Sequence, residues 1–211
     1  MLFTTTLLSA LVAVGGALAQ TTPPGFMPAV NKTLDVYYGT QYITPGLTVK
    51  KSSVSKQPTI GVTGQTLTGK YLLAMIGKYH PIFYSGYADD VLDIDAPGTP
   101  RGTVLHALLQ DWTPSGQAQN GSSILTTKAT GPASYFGPAP PAETPKHPHN
   151  YIFLLHEQPD NFAVPAAHKS AVQQRLGINW PKFITDAGLS EPIAANYLQV
   201  QSGDNTKRFV A

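Results

Sequence analysis

The sequence predicts a mainly β protein, a β-sandwich or large antiparallel sheet with one or two helices near the C-terminus. Three observations lead there. Nineteen glycines and nineteen prolines break the chain into short apolar runs, which is the punctuation of many turns. Helix signals appear only late, after residue 164. No cysteine is present, so packing must hold the fold, and a small disulfide scaffold is excluded.

Taken in order, "TLDVYYG" (33–39), "LTVKK" (47–51) and "TIGVTG" (59–64) read as short strands. "KYLLAMI" (70–76) is a stronger strand, and "TVLHALLQDW" (103–112) and "NYIFLLHEQ" (150–158) are apolar enough to be central ones. Residues 113–149, rich in Gly, Pro, Ser and Ala, are expected to form a long loop with little regular structure; such loops are usually functional or mobile. "PAAHKSAVQQRLG" (165–177) predicts a helix with Ala167, Val172 and Leu176 on its apolar side and Gly177 as its stop. A second helix is expected over "NWPKFITDAG" (179–188), capped by Asn179, with Pro181 in the first turn and Gly188 at the end. "PIAANYLQVQ" (192–201) returns to strand. No internal repeat and no second domain is visible.

The first residues, "MLFTTTLLSALVAVGGALAQ", form an uncharged apolar stretch ending in Ala17-Leu18-Ala19. This is the small-x-small pattern of a secretory signal, and residues 1–19 are expected to be removed, leaving 20–211 as one domain. An uncleaved anchoring segment is the alternative, and the absence of Lys or Arg before the apolar run is a departure from the usual pattern. The sequons Asn31-Lys32-Thr33 and Asn120-Gly121-Ser122 fit passage through a eukaryotic secretory route. The net charge is +2 with 12% charged residues. No basic stripe suited to nucleic acid is visible, and nothing beyond the leader is apolar for long enough to span a bilayer.

"PKHPHNYIFLLHEQP" (145–159) holds three of the six histidines. Side chains alternate along a strand, so His149, Tyr151, Phe153 and Leu155 share one face, while Asn150, Ile152, Leu154 and His156 share the other. His156 therefore points away from His149, Pro148 interrupts the geometry between His147 and His149, and no metal set closes. Two further features stand out. "VLDIDAP" puts Asp93 and Asp95 on one face before a proline, and "TVLHALL" sets His106 among leucines. These are either a turn cap and a satisfied core histidine, or the parts of a shared pocket whose mutual hydrogen bonds offset burial.

"LDIDAPGTPRGTVLHALLQDW", "YFGPAPPAETPKHPHNYIFLLHEQP" and "FITDAGLSEPIAANYLQVQ" together resemble the phosphatidylethanolamine-binding protein family, in particular its fungal and yeast-type branch. The resemblance runs from about residue 30 to residue 201. It implies a large antiparallel sheet packed on a smaller one, with an anion-sized cavity at one end. Asp93, Asp95, Ala96 and Pro97 would form one wall, His106 would be the buried imidazole, and His149 and Tyr151 would come from the later strand. Gly137, Pro140 and Pro141 would shape the rim. Imidazole, phenol and backbone N–H groups suit phosphoryl oxygens, and carboxylates would fix the imidazole tautomers.

Four departures bear on this reading. Asn150 stands where the family has arginine, so a guanidinium is missing beside the expected pocket. His147-Pro148 replaces a glycine-containing approach, and His156 replaces a tyrosine. The largest departure is "GKYHPIFYSGYADDVL" (77–92), which separates "KYLLAMI" from the Asp93 element where relatives run almost directly on. Joining Ile76 to Asp93 restores one strand with Asp93 on the face of Leu73 and Met75, and Gly77-Lys78 can be encoded by a splice-donor sequence. The segment is thus either a retained intron or a tyrosine-rich lid; the transcript decides.

Three functions follow for testing. The first is a secreted protein holding a phosphate-bearing or otherwise anionic small ligand, including a phospholipid head group, with Tyr135, Phe136 and Phe153 offering an apolar neighbour for a tail. The second is inhibition of serine proteases such as carboxypeptidases through a protein surface. The third, catalysis, is disfavoured: Ser122, Ser123 and Ser134 lack a G-x-S-x-G context, and no dinucleotide loop, phosphate loop or cofactor motif occurs.

Overall fold

The computed structural model describes residues 20–79, 102–141 and 146–202. Its strands are β1 (Asp35–Tyr38), β2 (Gln41–Tyr42), β3 (Leu47–Val49), β4 (Thr59–Thr63), β5 (Tyr71–Tyr79), β6 (Gly102–Gln119), β7 (Ser122–Thr126), β8 (Pro132–Ala133), β9 (Pro148–Glu157) and β10 (Ala194–Gln201). The helices are α1 (Lys169–Gln174) and α2 (Trp180–Asp186), with short 3-10 turns at Lys51–Val54 and Ala166–His168. The described strands form one curled sheet in the order β2-β1-β4-β7-β6-β5-β9-β10-β3, with β8 beside β6. Pairing is antiparallel except between β10 and β3.

The curl comes from β6. Its first part pairs with β5 and its last part with β7. Between them the register slips, from Leu73↔Leu109 to Tyr71↔Trp112. Asp111 takes the slack with φ of 58°, a left-handed conformation that a short polar residue tolerates. Its carboxylate is tied down by Gln110, Gln158 and Lys70.

Alternation then sorts the apolar side chains into two layers. Leu73, Met75, Ala107, Leu109, Tyr151, Phe153 and Leu155 join the inner cluster between the two halves of the curl. Leu72, Ala74, Ile76, Ile152 and Leu154 face outward onto Trp180, Phe183 and Ile184 of α2. The expected parity of the later strand is therefore what the structure has.

Two expectations are corrected. Residues 113–149 are not one long loop: β6 continues to Gln119, turns at Asn120-Gly121 (φ 50° and 82°), and returns as β7. That Asn-Gly pair is a strong hairpin signal. It was obscured because the surrounding strand is half solvated and spaced with Ser, Gly and Gln. The first helix is also shorter than expected. It ends at Arg175 (φ 63°) rather than at Gly177, because the next residues dock on β6, with Leu105 N–H donating to Arg175 O (2.8 Å) and Gly177 N–H to Thr103 O (2.9 Å). Sheet pairing captures the chain before a further helical turn can form. The second helix follows its prediction: Asn179 accepts from Lys182 N–H at 3.1 Å, and Pro181 sits in the first turn.

One fully buried polar side chain locks the N-terminal strands to β10. Asn196 donates to Leu34 O (2.8 Å) and Ile43 O (2.9 Å) and accepts from Tyr197 N–H (2.7 Å). Asn196→Ala leaves both carbonyls buried without this donor. Chemical denaturation should show a loss of about 2 kcal/mol; an unchanged midpoint would mean that neither bond matters to the fold.

Candidate functional site

His106 reaches the inner side of the sheet because β6 bulges beneath it. Met75 pairs with Ala107, but the next β5 residue, Ile76, pairs with Leu105. His106 is the extra residue, which breaks the alternation and re-aims its side chain as bulges beside sites commonly do. Phe136 then clamps it. Phe136 N–H donates to His106 O at 2.7 Å, His106 Nδ1 lies 2.8 Å from Phe136 O, and the two rings stack at 5.1 Å and 8°. A carbonyl can only accept, so Nδ1 carries the proton and Nε2 is left over.

Nε2 lies against Gly77 and Tyr151. A Cβ at Gly77 would sit 2.7 Å from Nε2 and 3.1 Å from Tyr151 Cε1, and the Tyr151 ring meets the imidazole edge-on at 5.0 Å. Gly77, Val104, His106, Phe136, Ala139, Pro140, Pro141, His149 and Tyr151 enclose a cavity of about 100 Å³. That is about three water volumes, the scale of a small oxyanion rather than a whole lipid. His106 is driven below the usual histidine range, chiefly by burial and further by Arg175, against the raising effect of its bond to Phe136. At neutral pH its Nε2 therefore presents a lone pair.

Of the residues expected from the sequence, His106, Pro140, Pro141, His149 and Tyr151 meet at this cavity. Asp93, Asp95, Ala96 and Pro97 lie outside the described residues. Gly137 does not line the cavity; it lets the chain pass Val54 and Ser55, where a Cβ would meet Val54 O at 2.9 Å. Tyr135 turns away from it, donating to Val54 O (2.7 Å) and meeting Tyr38 Oη (2.8 Å), and burial pushes its phenol up to about 12. Phe153 is in the inner cluster, so among the three expected apolar neighbours Phe136, 48% exposed, is the one that lines the mouth. β5 itself runs on through Gly77, Lys78 and Tyr79, paired with Val104, Thr103 and Gly102; residues 80–92 lie outside the described residues.

The histidine run resolves differently from residue to residue. His147 stacks on His149 at 5.1 Å with planes 9° apart, a parallel arrangement that does not converge on a metal. Among the described residues no group of three or more His, Cys, Asp or Glu is placed to hold one. His156 is on the other face, fully buried, with Nδ1 donating to Ser190 O at 2.8 Å. Asn150 is paired with Gln199 (3.0 Å) on the face away from the cavity, so the missing guanidinium removes no donor from the described wall.

Reasoning from sequence missed Gly77, whose role depends on strand register, and Arg175. The latter's guanidinium donates to Ser134 O (2.8 Å), Leu105 O (3.3 Å) and Ser134 Oγ (3.0 Å). It fastens the β6 bulge to the segment that carries Phe136, from behind the imidazole.

The fold and site define a β protein whose curled, mostly antiparallel sheet carries a small cavity lined by imidazole, phenol and proline. The chain belongs to the phosphatidylethanolamine-binding protein family, whose sequence model matches residues 31–200. It is 30% identical over 196 residues to the phomoidride biosynthesis cluster protein N of Talaromyces stipitatus, covering 89% of this chain and 93% of that one. A solved carboxypeptidase Y inhibitor, in complex with its cognate proteinase, has a similar fold: TM-score 0.55 and 17% identity over 82% of this chain and 84% of that one. A phosphatidylethanolamine-binding protein from Plasmodium falciparum is more distant, with TM-score 0.47 and 12% identity over 84% and 90% of the two chains.

Proposed function

We propose that this is a secreted, glycosylated binding protein that holds an anionic, phosphate-bearing small ligand or a phospholipid head group at the His106 cavity. The observation behind this reading is the clamped imidazole. Its Nδ1–H is committed to Phe136 O, and its Nε2 is held beside Gly77 and Tyr151 in a space of oxyanion size. His149 and Tyr151 contribute from β9, and Asp93 and Asp95 are the acidic partners that the family resemblance supplies. Residues 1–19 act as the secretory signal, and Asn31 and Asn120, both exposed, carry the glycans. The Talaromyces relative is named for a biosynthesis cluster, which supports a small-molecule ligand over a structural role.

The lone pair on Nε2 makes binding acid-dependent. An anion is accepted when the ring is protonated or when the ligand brings its own acidic O–H, and both states grow as pH falls. Thermal shift with phosphate, phosphoethanolamine and citrate should therefore be larger at pH 5.5 than at 7.5, once normalised to the unliganded protein at each pH. His106→Ala should remove it. No shift with any of the three at millimolar concentration sinks the reading.

A second reading, inhibition of a serine carboxypeptidase, is supported by the fold shared with the carboxypeptidase Y inhibitor. It requires a protein surface and no chemistry by this chain. His106→Ala separates the two: ligand binding collapses, whereas inhibition through a distant surface persists.

A further inference from the structure

A second concavity lies at the far end of β6 and shares no lining residue with the His106 cavity. Between Pro114↔Leu125 and Ala118↔Ser123 the β6–β7 ladder is broken, and Ser115, Gly116 and Gln117 stand opposite Ile124 alone. The protrusion is built rather than slack. Ser115 Oγ donates to Ile124 O (2.9 Å) and accepts from Gln117 N–H (3.1 Å), and Gly116 supplies φ of 75°. Together with Gln57, Pro58 and Thr59 it frames a solvent-open cleft of about 590 Å³, within the range of roughly 300–1,000 Å³ typical of small-ligand sites.

The lining has a definite chemistry. No Asp, Glu, Lys, Arg or His is among the residues that form it, so its lining carries no charged side chain. Buried Trp112 and Leu125, with Ile124, supply apolar wall. Gln57, Gln117 and Gln119, which carry side-chain amides, and Thr59 and Thr126, which carry hydroxyls, are also among its lining residues. Among the described residues, none of these five groups makes a hydrogen bond to the protein. Each carboxamide offers two donors and an acceptor. Uncommitted neutral donors and acceptors around an apolar wall match a ligand with hydroxyls on its edges and C–H groups on its faces.

We infer that this cleft binds a neutral oligosaccharide of two or three sugar rings. One source is part of the molecule itself: the sequon Asn120 directly follows Gln119 at the tip of the same hairpin, so an N-linked glycan there starts beside the cleft. A free saccharide has the same chemistry.

The experiment has two arms. Ser122→Ala removes the sequon while leaving the Asn120-Gly121 turn intact, and the Ser122 hydroxyl has no hydrogen-bond partner to lose. N,N′-diacetylchitobiose and maltose are titrated into this chain by calorimetry, with and without Gln57→Ala and Gln117→Ala. In the other arm, hydrogen exchange over 112–127 is compared between the secreted wild-type chain and the same chain trimmed by endoglycosidase, again with and without the two glutamine substitutions. Saccharide binding that falls about tenfold in the glutamine double variant, as the loss of two hydrogen bonds predicts, supports the free-ligand source. Protection lost on trimming, and absent from the double variant, supports the Asn120 glycan. No binding and no glycan-dependent protection overturns the proposal, as does any effect that survives both glutamine substitutions. If the secreted chain carries no glycan, calorimetry alone decides.

Discussion

Gly77→Ala is expected to abolish ligand binding at the His106 cavity. The added methyl would lie 2.7 Å from His106 Nε2, 2.8 Å from its Cδ2 and 3.1 Å from Tyr151 Cε1. A flexible side chain could yield to such a contact, but this imidazole is held by a 2.8 Å bond to Phe136 O and stacked on the Phe136 ring. Either the clamp breaks or the methyl fills a space of about 100 Å³. Overpacking of this kind costs about 1–3 kcal/mol, read as a lower denaturation midpoint, and the phosphoethanolamine thermal shift should vanish. Val104→Ala enlarges the same wall and serves as a control that perturbs packing without blocking Nε2. A Gly77→Ala protein that binds as well as wild type would show that ligands do not approach the imidazole from this side.

The same position bears on residues 77–92. Without them Asp93 would follow Ile76 and enter the register of Gly77, opposite Tyr151 and Val104. Its Cβ would then meet the same atoms, so a chain joined in this way needs His106 displaced from the geometry described above. A transcript that keeps all sixteen codons as its dominant form removes the intron reading and leaves Gly77 as the native residue of the cavity.

Much of the fold was legible because alternation and capping are local. Leu73 and Met75, or Tyr151 and Phe153, declare their face by spacing alone, and Asn179 declares a helix start by its side chain. What could not be read is set by pairing at a distance. The bulge that turns His106 inward exists only in the register of β6 against β5. Arg175 ends its helix only because β6 accepts the following residues. The face of His149 and Tyr151 followed from parity, and Pro140 and Pro141 from the family resemblance. Gly137 was expected at the rim from the same resemblance and Tyr135 as an apolar neighbour for a tail, but their contacts with Val54 and Ser55 belong to a segment some 80 positions away.

Acid should weaken the fold in two separable stages, the first of them governed largely by His156. Its ring is fully buried between the sheet and Trp180, edge-on at 5.6 Å. Burial pulls its pKa down to about 4, opposed by the bond to Ser190 O, against about 6.5 in an unfolded chain. Because the folded value is the lower one, the unfolded state takes up the proton first. The stabilisation is complete above about pH 6.5 and drains away as pH falls toward 4, by about 3 kcal/mol in all. His106 adds to the loss in the same direction, since its pKa is also lowered. Asp111 and Asp186, both held below the usual carboxylate range by hydrogen bonds from Gln110 and Lys182 respectively, lose their contribution only at lower pH, below about 4. Urea midpoints measured from pH 7.5 to 3 should therefore fall first across 6.5–4 and again below it. His156→Phe keeps an aromatic ring against Trp180 but cannot titrate. It should lower the midpoint at pH 7.5, because Ser190 O loses its donor, yet flatten most of the first fall. A variant whose midpoint still drops as steeply as wild type between pH 6.5 and 4 would place the acid sensitivity elsewhere in the molecule.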